Sequence, residues 1–578
     1  MKNQEIAKIL YHTAFYLHME DVPFKPQAYE RAAIVLESLS EAVEDVYARE
    51  GLGGLEKIPG MGKSIAGKIE EYLKTGKIRY YEEYQKKMPV DLDELSSVEG
   101  IGPKMIRDLW KHLKIKNLGD LEKAAKAGKI RTLPHFGRKT EQNILQGIAF
   151  AKRSRGRWLL GTISPYVEEL ISLLKGSRLV REAVAAGSFR RMKETVGDVD
   201  ILITTKDPEG AIDYFLSQVK YNKIWGKGPT KVSVHTLQGF DIDVRVLPEE
   251  IFGAGLQYFT GSKEHNVKLR TLAAEKGYKV SEYGVFRGKK RIACRTEEEV
   301  YRVLGMPYIE AELREDQGEI EMGLQGKLPH LIPYGSLKGD LQIQTNWTDG
   351  SNSIEEMAKE AKGQGLEYIA ITDHTRDLAM TKGSDEKKLL RQMREIDRIN
   401  LKFKIQKSKF RILKGAEVNI RKDGTLDIKD EVLAKLTVVG AAVHSNFKMS
   451  KKDMTERIRR AMENPHVDIL FHPTGRLIQK RQPYEVDMDV IIQTAKRTGT
   501  ILEINAYPER LDLKDTDIRK AVEARVKLAI DSDAHSREHI RYLAYGIAQA
   551  RRGWATQGDI INAWPLEKML SFLKDKHT

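Results

Sequence analysis

The chain has 578 residues, 41% of them apolar, and carries 97 Lys and Arg against 83 Asp and Glu, a formal net charge of +14. That length accommodates about three to five domains, each with its own core, and the composition excludes a disordered chain. The one cysteine, Cys294, excludes a disulfide-stapled secreted scaffold or a cysteine-rich zinc module; MKNQEIAKILYHTAFYL has no signal-peptide core and no long apolar run follows it, so a soluble, cytoplasmic protein is expected.

The charge is unevenly spread. Residues 1–100 hold 13 basic and 18 acidic side chains, whereas residues 101–157 hold 15 and 4 and end in AKRSRGRW. A charge run alone is usually a solvated face, but here the surrounding motifs point to a polyanion. IPGMGKS (Ile58–Ser64) closes one apolar-periodic segment and opens another, which predicts helix, tight glycine turn, helix. The pattern recurs in VEGIGPKMIRDLW (Val98–Trp110) and, worn, in LPHFGRKTEQNIL (Leu133–Leu145). Gly60, Gly62, Gly100, Gly102 and Gly137 let backbone N–H groups approach a phosphate without a Cβ in the way. The helix N-terminus behind each turn adds positive potential, and Lys63 and Lys104 come just after. One Gly-x-Gly is an ordinary turn; three with basic residues after them resemble the helix-hairpin-helix DNA-binding motif, which grips backbone without reading bases.

From Val180 the chain reads VREAVAAGSFRRMKETVGDVDILITT: an apolar strand, a Gly-Ser turn, a basic stretch, and a second strand with Asp198 and Asp200 on one face. In FDIDVRVLP, alternation puts Asp241, Asp243 and Arg245 on one face and Ile242, Val244 and Val246 on the other. Two such strands side by side bring three or four carboxylates to one point. A solvated strand face does not explain that crowding, because like charges repel; a pair of divalent cations does.

GSFRRMKETVGDVD and YFTGSKEHN (Tyr258–Asn266) resemble the signature segments of family X DNA polymerases, in the same order, and the similarity runs over residues 1–317. The resemblance implies that Asp198, Asp200 and Asp243 are the catalytic metal ligands, holding Mg²⁺ or Mn²⁺; spacing alone does not prefer Asp243 to Asp241. It implies that Gly187, Ser188 and Arg191 bind the incoming triphosphate, that Tyr258, Phe259 and Gly261 shape the sugar pocket, and that Asn266 and Arg270 lie along the nascent base pair. His265 stands where Phe is usual and is expected to tune the pocket. The family also implies an abasic-site lyase or endonuclease, for which Lys68, eight residues after Gly60, matches the Schiff-base lysine, and Tyr29 in QAYERAA also matches. A lysine on a polar helix face is ordinarily just solvated, and nucleophilic chemistry needs a depressed pKa.

Residues 305–339 are rich in Gly and Pro, lack an apolar period and read as a linker. Beyond them short β-rich runs alternate with helical stretches, which argues for a parallel, barrel-like α/β fold. His374, His444, His472, Asp533 and His535 each follow the apolar part of a strand and Glu417 lies within one, so they converge at the C-terminal rim. Such nitrogen and oxygen ligands suit Zn²⁺ or Mn²⁺ and phosphoester hydrolysis. The segments resemble the PHP (polymerase and histidinol phosphatase) domain over residues 337–575, which in bacterial family X polymerases acts as a 3′–5′ exonuclease. The family's first segment carries His-x-His; here GDLQIQTNWTDG has Gln342 and Gln344 in those places and retains Asp349. In the family pattern one of three metals thereby loses half its protein ligands. Glu417, His444 and His472 remain around one metal and Asp349, His374 and His535 around another, so the exonuclease is expected to be weakened or lost.

The expected architecture is multidomain α and α/β: helix-hairpin-helix domains, a nucleotidyltransferase palm with thumb, and a distorted α/β barrel. The boundaries are a lyase-like domain over 1–87, fingers over 88–150, palm 151–258, thumb 259–317, linker 318–336 and PHP domain 337–578. Expected partners are gapped or nicked DNA and deoxynucleoside triphosphates, no membrane, and a monomeric state, with short-gap filling in base excision repair as the task. A nucleotidyltransferase acting on RNA or small molecules, and a DNA-end-binding scaffold with a degenerate nuclease, are the alternatives.

Overall fold

The computed structural model describes residues 2–39, 41–58, 60–98, 101–154, 156–378 and 381–576; Gly100 of the second hairpin and Arg155 of the basic cluster lie outside the described residues. The N-terminal helical region forms two units that share the helix Lys2–Met19. Ile6, Leu10 and Leu17 of that helix pack with Leu36, Leu55, Ile65 and Ile69, whereas its Tyr16 and Met19 pack with Leu95, Ile106, Leu109 and Ile144. A helix apolar on two faces serves two cores.

The three hairpins share one geometry. The N–H of Met61 donates to the Ile58 carbonyl at 3.0 Å, that of Ile101 to Val98 at 3.1 Å and that of Phe136 to Leu133 at 3.1 Å. Each turn runs into a helix: Lys63–Thr75, Pro103–Leu113 and Arg138–Ser154. In the worn copy His135, at φ 67°, takes the place that Gly60 holds at φ 80°. Histidine tolerates this left-handed region better than most residues, so the hairpin survives without its first glycine.

The central domain is a five-stranded sheet of β1 (Glu182–Ala185), β2 (Asp198–Thr204), β3 (Tyr221–Gly228), β4 (Lys231–Thr236) and β5 (Asp241–Val246), in the spatial order β1-β2-β5-β4-β3. β2 and β5 are parallel, and the other pairs are antiparallel. One face is covered by helices Leu160–Gly176 and Pro208–Gln218, whose Ile163, Val167, Leu170, Ile212 and Phe215 pack on Val199, Ile201, Ile203, Ile242 and Val244. The alternation that buries those residues leaves the aspartates on the open face.

Helices Phe252–Thr260, Lys263–Glu275 and Glu297–Val303 then surround a three-stranded antiparallel meander. The stretch 305–339 that reads as a linker is instead packed. It holds a short helix, Glu319–Leu324, and buries Met306, Ile309, Leu313 and Ile320 in the core of this unit. Its apolar residues lie mostly on irregular backbone, so they show no period although they are buried.

The C-terminal part is a seven-stranded, all-parallel sheet in sequence order: β6 (Gly339–Ile343), β7 (Tyr368–Ile371), β8 (Arg411–Asn419), β9 (Val438–Ala442), β10 (Ile469–Leu470), β11 (Ile501–Asn505) and β12 (Leu528–Asp531). A bridge between Ile343 and Ala534 and a hydrogen bond from the Leu341 N–H to Asp531 draw the two edges together. Inward residues Leu341, Tyr368, Val438, Phe471 and Ile501 fill the barrel, and Met569 and Leu573 of the last helix join them. Among the described residues no helix is long and apolar enough to cross a membrane.

Candidate active sites

On the open face of the central sheet, strand register decides which carboxylates meet. Asp198 lies beside Asp241 and Asp200 beside Asp243. Asp241 is already engaged: the Trp225 Nε1–H donates to it at 3.1 Å and His235 Nδ1 lies 2.6 Å away. Asp243 has Lys231 Nζ at 3.2 Å and faces the cluster. Burial, with Asp198 and Asp243 close by, pushes Asp200 up to about 6, the mark of carboxylates held together against their charge. Such a set fits a divalent cation.

The Gly-Ser turn sits directly behind this cluster. Gly187 has φ 60°, which favours glycine, and a Cβ there would lie 2.8 Å from Asp200 Oδ2, so a larger residue would have to displace that carboxylate. Ser188 follows it, part-exposed. Arg191 donates from Nη1 to the Thr260 carbonyl at 2.5 Å and from Nε to Glu315 at 3.0 Å, which brings Gly261 against its guanidinium. Tyr258 and Phe259 pack edge to face, and Arg245 lies over the Phe259 ring. Asn266 is held by Gln257 at 2.8 Å and donates to the Tyr258 carbonyl at 2.7 Å, while Arg270 is exposed one turn on.

His265 does not line this pocket. It is fully buried, with Nδ1 2.6 Å from Glu319 and Nε2 3.0 Å from the Tyr301 hydroxyl. Its role is to tie the helix Lys263–Glu275 to the segment beyond residue 305. Sequence reasoning also missed Arg190, which makes a two-pronged pair with Glu297 at 2.9 and 2.6 Å; Arg314 pairs with the same carboxylate at 2.6 Å. The double arginine of GSFRR was the only signal, and nothing local separates the partner of a phosphate from the partner of a glutamate.

In the first helical unit Lys68 Nζ lies 3.1 Å from Ser64 Oγ, 5.0 Å from the centre of the Tyr80 ring and 5.8 Å from that of Tyr29. Burial between these rings lowers its pKa. Gly60, Gly62, Lys63, Gly102, Lys104 and Gly137 lie at their hairpins; Lys104 pairs with Asp21 at 2.5 Å.

At the barrel rim, two groups among the described residues have the ligand atoms to hold a metal: Asp349, His374 and His535, and His374, Glu417 and His444. His374 is common to both, with Nε2 3.5 Å from Asp349 and Nδ1 3.5 Å from Glu417. His444 and His472 each place Nε2 2.9 Å from Glu417 Oε1. Buried Asp349 Oδ1 and His374 Nδ1 have no hydrogen-bond partner, which fits a cation at the rim. Burial works against the charge on His535, but Asp349 and Asp533 outweigh it and raise it to about 10; burial, with His374 and His472 close by, outweighs Glu417 and lowers His444 to about 4.

The position between Glu417 and Asp533 is different. Gln342 and Gln344 donate amide N–H to Glu417 Oε2 at 3.1 and 2.7 Å. Asn505 Nδ2 spans Gln342 Oε1 at 3.2 Å and Asp533 Oδ2 at 3.1 Å, and Arg510 Nε lies 3.4 Å from that same oxygen. Donor groups occupy the space between two acids that a cation would otherwise bridge, so these residues do not fit a third metal.

A carboxylate cluster on paired strands, backed by a glycine turn and preceded by helix-hairpin-helix turns, has the form of a nucleotidyltransferase of nucleic acids, here joined to a barrel with candidate metal ligands at its rim. Family models agree: helix-hairpin-helix domain over residues 1–78, SAM-like helix-hairpin-helix tandem over 92–149, DNA polymerase beta palm over 163–223, DNA polymerase beta thumb over 255–315 and PHP domain over 340–506. The chain is 36% identical to the DNA polymerase/3′-5′ exonuclease PolX of Bacillus subtilis (strain 168), covering 99% of this chain and 100% of that one. It is 27% identical to DNA polymerase lambda of Arabidopsis thaliana over 50% of this chain and 57% of that one. It is 29% identical to a probable phosphatase of Thermoanaerobacter sp. (strain X514) over 39% of this chain and 89% of that one. The chain belongs to the family X DNA polymerases that carry a C-terminal PHP domain.

Proposed function

We propose that this polymerase fills short gaps in DNA during base excision repair, acting as a monomer in the cytoplasm on gapped or nicked DNA and deoxynucleoside triphosphates. The observation that carries the reading is the register that sets Asp200 beside Asp243 with Asp198 at the strand start, against the Gly187 turn. Asp198, Asp200 and Asp243 would hold Mg²⁺ or Mn²⁺, which supplies the charge that activates a 3′ hydroxyl and stabilises leaving pyrophosphate. Ser188 and Arg191 orient the triphosphate, and Tyr258, Phe259 and Gly261 bound the sugar, with Asn266 and Arg270 along the base pair. The hairpins hold the DNA backbone on either side of the gap through main-chain N–H groups and Lys63 and Lys104.

Primer extension on a one-nucleotide gap tests this. Wild type extends with added Mg²⁺ and Asp198→Ala does not; equal extension by both would defeat the assignment. Lys68, desolvated between Tyr29 and Tyr80, is proposed as the amine of an abasic-site lyase, and borohydride trapping of abasic DNA that persists in Lys68→Ala would refute it.

The barrel is proposed to retain two sites for Mn²⁺ or Zn²⁺, around Asp349, His374 and His535 and around Glu417, His444 and His472, with His374 between them. Those ions supply Lewis acidity for phosphoester cleavage. Lacking a third, the domain removes 3′ nucleotides weakly. Robust Mn²⁺-dependent 3′-end removal that disappears in Glu417→Ala would overturn this.

A further inference from the structure

Two arginines of the barrel reach into the palm. Arg552, last residue of the helix Leu543–Arg552, has a side chain only 2% exposed, and its guanidinium meets three acceptors. These are the main-chain carbonyl of Arg191 at 2.9 Å, Glu315 Oε1 at 3.1 Å and Asp515 Oδ2 at 2.5 Å. Glu315 Oε1 is the same atom that accepts from the Arg191 side chain. Arg476, four residues after His472, donates to Glu194 at 2.8 Å and to the carbonyl of Leu511. A barrel arginine therefore grips each end of the stretch Arg191–Glu194, the backbone that leads from the Gly-Ser turn to Asp198.

The surrounding contacts make the attachment firm. Trp554 of the barrel chain is buried in the core of the thumb, and Tyr545 packs against the core of the palm. Gln479 donates to the Arg157 carbonyl at 2.8 Å, and Arg157 in turn bonds to Thr195. Apolar side chains would glue two domains at lower desolvation cost than a buried guanidinium between two carboxylates. What the planar fork adds is geometry, since it holds three groups in one arrangement.

We infer that the PHP domain is part of the nucleotide site of the polymerase: Arg552 and Arg476 are positioning residues that hold the Arg191–Glu194 stretch, and with it Arg191, in the arrangement that receives a triphosphate. The inference rests on the proposed role of Arg191. When the stretch is competent only one-tenth of the time, the apparent affinity for nucleotide falls about tenfold while the chemical step in the bound complex is unchanged. The PHP domain thereby acts on nucleotide binding, independently of any nuclease activity.

The test is steady-state extension of a one-nucleotide gap by the full-length chain, comparing wild type, Arg552→Ala, Arg552→Lys, Arg476→Gln and Arg191→Ala. Expected is a rise of about tenfold in KM for the nucleotide in Arg552→Ala and a few-fold rise in Arg476→Gln, with kcat and KM for DNA within about twofold of wild type. Arg552→Lys retains the charge between Asp515 and Glu315 but not the fork, and is expected to lie between wild type and alanine; it and Arg476→Gln serve if Arg552→Ala does not fold. Lower thermal stability with an unchanged KM for nucleotide in these variants would reduce the arginines to structural contacts and overturn the inference. If Arg191→Ala raises that KM while the barrel variants leave it alone, only the positioning role falls; if Arg191→Ala leaves it unchanged, the triphosphate role and the inference fall together.

Discussion

Gln344 donates its amide N–H to Glu417 Oε2 at 2.7 Å, where the PHP pattern has a metal-binding histidine. Restoring both histidines, Gln342→His with Gln344→His, removes two donors aimed at Glu417 and supplies two imidazole ligands. The expected outcome is one additional Mn²⁺ or Zn²⁺ bound per chain by metal analysis, together with increased 3′-end removal. Unchanged metal content would show that Arg510 and Asn505 keep the position closed on their own.

A side chain at Gly187 strains the turn and crowds Asp200. At φ 60°, with Asp200 Oδ2 2.8 Å from the site of a Cβ, alanine strains the backbone by about 1–2 kcal/mol and pushes on the carboxylate. Gly187→Ala is expected to lower gap filling by about a hundredfold, as small misplacements of reacting groups do. Extension within twofold of wild type would show that the turn moves freely away from Asp200.

Glu297 links palm and thumb through Arg314 and Arg190. Burial alone would raise its pKa, but the two guanidiniums outweigh burial and bring it down to about 2. A carboxyl whose folded pKa is depressed stabilises the fold fully above its ordinary value, and that stability drains away as pH falls from near 4.5 toward 2. Glu297→Gln is expected to cost about 3 kcal/mol at pH 7 because the buried Arg314 and the half-buried Arg190 lose their partner. The gap in melting temperature between wild type and variant should narrow between pH 5 and pH 3; a constant gap would refute the ion-pair origin.

Lys63 opens the helix behind the first hairpin and is exposed. If it touches phosphate, Lys63→Ala weakens binding to gapped DNA of any sequence alike and lowers the slope of log K against log salt by about 1. Fluorescence anisotropy between low and moderate salt reads this directly. A slope identical to wild type would remove Lys63 from the contact.

How much of this was legible in the residues depends on how far apart the deciding partners lie. The hairpins, the alternating aspartates and the strand-end histidines rest on spacing within a segment, so the residues alone identify the helical turns, the carboxylate face and the ligand-rich rim. Even the worn hairpin is readable, because its turn needs backbone bonds and one left-handed residue, and His135 supplies it. The proposed choice of Asp243 over Asp241 is of another kind: it is supported by Trp225 and His235, which reach Asp241 only once strands β3 and β4 have paired. The packed stretch 305–339 read as a linker because irregular backbone buries side chains without a period.

The sequence alone therefore determined the kind of chemistry and most of the side chains offered to it. Tertiary structure decided what each offered side chain meets. His265 left the nucleotide pocket for a buried bond to Glu319, the glutamines closed on Glu417, and Arg552 found the backbone of Arg191 from 361 residues away. Hydrogen bonds act over about 3 Å whatever the separation along the chain, so only the folded arrangement of the domains specifies those partners.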